Sequence, residues 1–409
     1  MINDNKMNGG GGDEVVMGRR WRGVPWYWVP IVIFIVGGGI VFMRHLQTGL
    51  MPDRVALTIP LIGLDVYWYG VLIMFGLGMG CVVAADVAEE RGRRIWVREV
   101  PAGVRQRPLA TLSLPEEIAE TLAKRKIETV GELLLRWGWR SPELGLNKMG
   151  MDKVGEVLVG AEGVEERWVA ERPPWHQYNP EHVWNGVIWA AVLAVIGARI
   201  YHILTPSPSM AAVGIYSPLD YFKDPLKMIN LRLGGLGLYG GLVGGALGLW
   251  IYGRRQGVRL LTLTDLSAIA MPLGQTMGRW GNFMNQELYG APAEWPWAIA
   301  IDPRHRLVAY AESIRYHPTF LYESIWNFGV FLTTLYLARR YDDKLKLGDL
   351  TAIYLVLYGI GRILMETVRL DSRASGGVPI ATWVSVVAVV VAGGALVWRR
   401  RRDKIMTRE

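Results

Sequence analysis

The sequence predicts an all-α, polytopic membrane protein of about eight transmembrane helices with a small helical cytoplasmic domain inserted among them. Three observations predict it. Hydrophobic residues make up 51% of the 409 and charged ones only 20%, with a positive mean hydropathy, a balance that argues against a soluble globule. Eight stretches approach the roughly 20 mostly apolar residues that a spanning helix needs. One long polar segment, 98–181, separates the second stretch from the third.

Met1 to Asp13 is rich in Gly and Asn and reads as a disordered tail within a cytoplasmic segment, 1–24. Pro25 to Met43 is the first stretch. Arginines before an apolar core also describe a secretory signal, but the leader is long and shows no small-x-small cleavage site, so an uncleaved anchor is expected. The second stretch, Leu61 to Ala85, carries Tyr67-Trp68-Tyr69-Gly70, an aromatic belt by default. After the polar segment come Val183 to Leu204, Leu231 to Tyr252, Leu261 to Phe283, Thr319 to Ala338, Leu350 to Met365 and Pro379 to Trp398.

The net charge of +8 is not spread evenly. Arg19-Arg20-Trp21-Arg22, Arg91 with Arg93-Arg94, Arg254-Arg255, Arg339-Arg340 and Arg399 to Arg402 each abut a span end. If every stretch crosses, all five fall on one side, which the positive-inside tendency makes cytoplasmic. Both termini are then cytoplasmic, and the loop Asn285 to His317 faces outward. Cys81 is the single cysteine, so neither an intrachain disulfide nor a cysteine-based metal site is available. No metal or cofactor is implied.

Charged groups at membrane depth need partners or a purpose, because an Arg at a helix centre costs about 2.5 to 3.5 kcal/mol even on the milder insertion scale. Tyr358, Arg362, Glu366 and Arg369 in the seventh stretch and just beyond it are spaced by four, four and three, which puts them on one helical face. An intrahelical Arg362–Glu366 pair alone would leave Tyr358 and Arg369 unexplained, so the face reads as an anion-accepting stripe. The fifth stretch ends in Gly278-Arg279-Trp280-Gly281-Asn282-Phe283-Met284-Asn285-Gln286-Glu287-Leu288-Tyr289-Gly290. Glycines admit close approach of a ligand, and Arg279 offers a planar fork suited to phosphate oxygens; a snorkelling Arg is the plainer alternative. In the fourth stretch Gly237/Gly241/Gly245 and Gly240/Gly244/Gly248 form two small-residue rows for close helix packing, with Tyr239 among them. His317-Pro318 opens the sixth stretch, with Glu323 a turn and a half inside, and Arg199-Ile200-Tyr201-His202 closes the third as either an interfacial anchor or a polar site.

Taken in order, the blocks Tyr67 to Gly70, Arg199 to His202, Gly234 to Gly245, Gly278 to Gly290, His317 to Glu323 and Tyr358 to Asp371 resemble those of the prolipoprotein diacylglyceryl transferases. The resemblance covers Leu61 to about Val97 and Trp184 to about Trp398. It implies a transferase core of 61–97 and 182–398, with an extra helix and outer loop at 25–60, an insert at 98–181 and a basic tail at 399–409. It also implies transfer of the diacylglyceryl group from phosphatidylglycerol to the lipobox cysteine of a prolipoprotein, with release of glycerol phosphate, at the outer face of the bacterial cytoplasmic (inner) membrane. Arg279 and Arg362 would be the essential arginines, and Tyr69, Asn282, Glu287, Gly290 and Tyr358 the supporting positions. Asn285, Glu366 and Arg369 extend the binding set. Many members have a His, proposed as the base, where this chain has Tyr239; a phenol of pKa about 10 is a poor base near neutrality. Tyr239, His317 and Glu287 therefore stay open as groups serving the thiol.

The insert contains Ser113-Leu114-Pro115-Glu116, a helix start with a cap, and Gly150-Met151-Asp152-Lys153-Val154-Gly155, which resembles a helix-hairpin-helix turn. The whole is similar to the helical C-terminal domain of the RNA polymerase alpha subunit, but its acids and bases nearly balance, and a DNA binder is expected to show a basic face. A module docking an unidentified cytoplasmic partner is the expectation. Two rival readings of the whole chain are a transporter or channel, whose intramembrane Arg and Glu would line a pathway, and a membrane-tethered scaffold, which leaves Arg279, Arg362 and Glu366 without a reason.

Overall fold

The computed structural model describes residues 24–406 apart from 62, 141, 231–234, 236, 371–373 and 376–377. The expected tail, the Arg19 to Arg22 cluster, Gly234 and the Asp371 end of the last block lie outside these residues. Helices predominate. Four are long and apolar enough to cross a membrane: α1 (Trp28–Thr48), α2 (Trp68–Glu99), α6 (Glu181–Leu204) and α12 (Ile380–Met406, apolar over Ile380–Arg402). This is a membrane protein. The apolar windows of α1, α6 and α12 are only 17%, 22% and 11% buried against 56% for α2, so three of the four are left mostly uncovered by the rest of the described chain.

The remaining apolar stretches also form helices: α8 (Leu238–Gln256), α9 (Leu260–Asn285), α10 (Thr319–Arg340) and α11 (Asp349–Glu366). Helices α9, α10 and α11 fall short of the apolar four because they carry the polar chemistry, Asp265 and Arg279, Glu323, and Arg362 with Glu366, and α8 because it is rich in glycine and ends in Arg254-Arg255. Helix α9 packs against α2, α10 and α11, α8 lies along α6, and α12 lies along α11. Asp265, 3% exposed, ties α9 to the start of α11 by accepting the Gly348 N–H at 2.7 Å and the Thr351 N–H at 2.9 Å.

Two expectations are corrected. Leu61 does not begin a span: residues 64–67 form a strand, β2 (Leu64–Tyr67), paired antiparallel with β1 (Val55–Ile59), and α2 starts at Trp68 and runs on to Glu99. Alternating Leu64-Asp65-Val66-Tyr67, with Thr58 donating to Asp65 at 2.6 Å, satisfies a hairpin better than a helix. Two-residue pairings, including β3 (Ile299–Ala300) with β4 (Arg315–Tyr316), are the other short strands, and the chain stays mostly helical, consistent with an all-α membrane protein. In the insert, α3 (Glu116–Lys124) is preceded by Pro115 and Ser113 does not cap it. The caps lie further on, where Thr129 accepts from Glu132 N at the start of α4 (Val130–Gly138) and Asn147 accepts from Gly150 N at the start of α5 (Lys148–Val159).

Arg91, Arg94 and Arg339 of the expected basic clusters lie together at one end of the bundle, but they are not bare. Arg91 pairs with Asp342 at 2.7 Å, Arg339 with Asp86 at 2.7 Å and Glu90 at 3.2 Å, and Arg399 and Arg400 share Asp349 at 3.1 and 3.0 Å.

Candidate active site

At the opposite end, the last turns of α9 gather the polar residues. The helix stops at Asn285 because Gln286 turns left-handed (φ 56°), and Leu288 repeats the conformation (φ 56°), unusual for residues with a Cβ. That double turn folds Glu287 back over the helix. Asn282, 5% exposed, donates through Nδ2 to Glu287 Oε1 at 2.8 Å, and Asn285 Nδ2 reaches the same oxygen at 3.3 Å. Arg279 Nη1 donates to Asn282 Oδ1 at 3.4 Å. Tyr69, at the first turn of α2, packs against this end of α9 at Gly281. Only Gly281 allows this approach, since a Cβ there would lie 2.5 Å from the Tyr69 ring. The group opens into a cleft of about 670 Å³ lined by Arg54, Tyr67, Tyr69, Asn285, Glu287 and His305.

Arg279 also forms an ion pair through Nε with Glu323 of α10, whose second oxygen pairs with Arg369 Nη1 at 3.2 Å. Glu323 is 6% exposed and joins three chain segments. In the sequence Glu323 falls inside a span without an assigned part in the site, although an acid there carries the same signal as Glu366. Short backbone pairings hold the surroundings. Gly290 N–H donates to the His317 carbonyl at 3.0 Å, Ala291 N–H to that of Val368 at 2.8 Å, and Gly290 bridges to Arg369. Through these, Gly290 and His317 are brought beside Arg369, which shares Glu323 with Arg279.

Arg362 pairs with Glu366 at 2.9 Å along α11, and its Nη1, although buried, has no hydrogen-bond partner among the described residues. A desolvated N–H without an acceptor is costly unless a ligand supplies one. Tyr358 stacks on Tyr354, ring centroids 5.8 Å apart. His317 is engaged through Nδ1 with the Tyr322 hydroxyl at 3.1 Å. Tyr239 is not joined to the Arg279 group by any hydrogen bond or ion pair among the described residues. It is 41% exposed and lies 6.0 Å, ring to ring, from Tyr201 of α6. Arg199 is no interfacial anchor either: 6% exposed, it donates to the carbonyls of Met228, Gly235 and Asn230 at 2.7, 3.1 and 3.2 Å and so clamps the loop before α8.

Residues 157–398, more than half of the chain, match the family model described as prolipoprotein diacylglyceryl transferase. The chain is 37% identical over 269 residues to the phosphatidylglycerol–prolipoprotein diacylglyceryl transferase of Gloeobacter violaceus, covering 62% of this chain and 96% of that protein. The chain belongs to the prolipoprotein diacylglyceryl transferase family. Other members similar to it are those of Synechococcus elongatus, 35% identical over 66% of this chain and 85% of the relative, and Frankia alni, 41% identical over 52% and 54%. The span matched by the family model contains Arg279, Glu323, Arg362 and Arg369.

Proposed function

We propose that the protein transfers the diacylglyceryl group of phosphatidylglycerol to the lipobox cysteine of a prolipoprotein, the first step of bacterial lipoprotein maturation. The observation that carries this reading is the pair of arginines, Arg279 of α9 and Arg369 of the turn after α11, joined through Glu323 in a membrane protein of this family, with the amides that follow Arg279 holding Glu287 in a cleft. In the reaction the cysteine sulfur forms a bond to the glyceryl carbon, the bond from that carbon to the phosphate oxygen breaks, and the electron pair leaves with glycerol phosphate. Arg279 and Arg362 stabilise the charge that grows on the leaving phosphate. A thiol of pKa about 8.5 must lose its proton to attack. Glu287 takes it: its carboxylate lines the cleft and is oriented by two amides on one oxygen, whereas His317 is already bonded to Tyr322. Tyr239 and Tyr201 form an aromatic flank on the lipid-exposed helix pair, suited to an acyl chain. Asn282, Asn285, Gly290, Tyr358, Glu366 and Arg369 shape the head-group site.

Eight spans, with both termini cytoplasmic and the site toward the outer leaflet, fit the separation of the Arg279 cluster from the Arg91–Asp342 and Arg339–Asp86 pairs at the other end of the bundle. Residues 98–181 act as a cytoplasmic docking module with its own apolar core, including Leu122, Leu133, Leu134 and Trp168. Gln177 ties it to the core by donating to the Gly257 carbonyl at 2.8 Å. The test is an assay of purified protein in detergent with phosphatidylglycerol and a lipobox peptide. Mass gain on the cysteine together with glycerol phosphate release is the expected result; folded protein giving neither would overturn the reading.

A further inference from the structure

Glu323 has a geometry that goes further than membership of the cluster. Its carboxylate is divided: Oε2 pairs with the Nε edge of Arg279 and Oε1 with Nη1 of Arg369, while Arg279 Nη1 points to Asn282, whose amide holds the cleft-lining Glu287. The three residues come from α10, α9 and the turn after α11, and Glu323 and Arg369 keep only 7% and 8% of their side-chain surface exposed. Two guanidiniums this close repel each other strongly where water is scarce, and a single carboxylate between them leaves one net positive charge. With its Nε edge occupied, Arg279 has one edge left for a phosphate, the Nη1–Nη2 fork.

We propose that Glu323 is a positioning residue that sets Arg279 and Arg369 side by side and turns the Arg279 fork toward the phosphodiester of the lipid. The proposal rests on the transferase reading. It has a consequence that simple packing does not. Replacing the carboxylate by an amide adds a net positive charge to the site, so an anionic lipid still binds, yet the fork is no longer held at the angle the leaving phosphate requires. Turnover and affinity should therefore separate.

The experiment compares wild type, Glu323→Gln and Glu323→Asp as full chains in neutral detergent micelles, varying phosphatidylglycerol at saturating lipobox peptide. Rates are normalised to folded protein from thermal melting and gel filtration. Glu323→Gln is expected to lose at least about tenfold in kcat with KM for phosphatidylglycerol unchanged or lower, the size expected when a fixed donor is misaligned. Glu323→Asp, which keeps the charge but is one methylene shorter, should recover part of kcat. A kcat per folded molecule within twofold of wild type for Glu323→Gln overturns the proposal, as does a loss that lies entirely in KM. If Glu323→Gln does not fold, Glu323→Asp decides alone: a several-fold lower kcat at a wild-type melting temperature supports the role, and an unchanged kcat overturns it. Turnover by wild type with no change in the variants removes this inference and leaves the transferase standing, whereas an inert, folded wild type removes both.

Discussion

Replacing Gly244 by alanine should loosen the seam between α6 and α8, and the structure sets the size of the effect. A Cβ at Gly244 would lie 2.1 Å from the Leu193 carbonyl oxygen; at Gly240 the corresponding approach is 2.2 Å to the Gly197 oxygen, and at Gly248 it is 2.5 Å to that of Trp189. Carbon-to-oxygen contacts of this kind normally settle near 3.3 Å, so the helices must part by roughly 1 Å. Membrane helices have no hydrophobic drive to stay together, and close packing is what holds them. Overpacking on this scale costs about 1–3 kcal/mol, which for a chain of 409 residues corresponds to roughly 1–4 °C in melting midpoint. The second glycine row supplies the control, because a Cβ at Gly241 would meet Ala198 at an ordinary 3.6 Å. Thermal melting of Gly244→Ala and Gly241→Ala in the same detergent checks the argument. Gly244→Ala melting with wild type, or Gly241→Ala falling as far, would refute it.

Arg279→Ala and Arg362→Ala should each abolish transfer while the protein still inserts, measured by peptide mass gain beside membrane fractionation, because each removes phosphate stabilisation and not a span; Arg362→Ala should also melt below wild type, since the buried Glu366 loses its partner. Asp265→Ala should lower the melting midpoint of the whole bundle, since the buried N–H groups of Gly348 and Thr351 lose their acceptor at about 1–3 kcal/mol for each group left unpaired. Outside the membrane, the Tyr216 N–H, followed by Lys223 and Ser217, holds the Asp220 carboxyl down to about 2 from an ordinary 3.8. With the folded value below the unfolded one, its contribution to α7 (Pro218–Lys223) is complete above about pH 4 and is lost as pH falls through about 2. Hydrogen exchange at Tyr216 and Ser217, corrected for the intrinsic rate, should show that loss in wild type and not in Asp220→Asn.

What the sequence made legible was local. Arg279, Asn282, Asn285 and Glu287 fall within nine consecutive residues, so one helix end and one turn were enough to bring them together, and Arg362 with Glu366 follows from helical spacing alone. Glu323 was visible as an acid at membrane depth, but its two partners lie 44 residues before it and 46 after it, and no periodicity encodes such a meeting. The same limit applies to Tyr239: its glycine row correctly announced close packing, while its neighbour Tyr201 comes from another helix. The start of α2 is hidden in the sequence for a different reason. An apolar window averages over Leu64 and Val66 without noticing that they alternate with Asp65 and Tyr67, and alternation is what distinguishes a strand from the start of a span.

Helix α1 lies outside the blocks that carry the family resemblance, yet it is fastened at both ends. The Tyr27 hydroxyl accepts from Arg339 at 2.7 Å, and His45 accepts the Ala300 N–H at 3.1 Å. Between these ties Gly38 rests under the Trp280 ring and Phe34 meets that ring edge-on at 6.0 Å. Trp280 is the residue next to Arg279, and its indole N–H donates to Ser324, itself the neighbour of Glu323. The helix thus acts as a stave in the wall behind the reacting groups: take it away and the indole loses its backing within one residue of each partner in the Arg279–Glu323 pair.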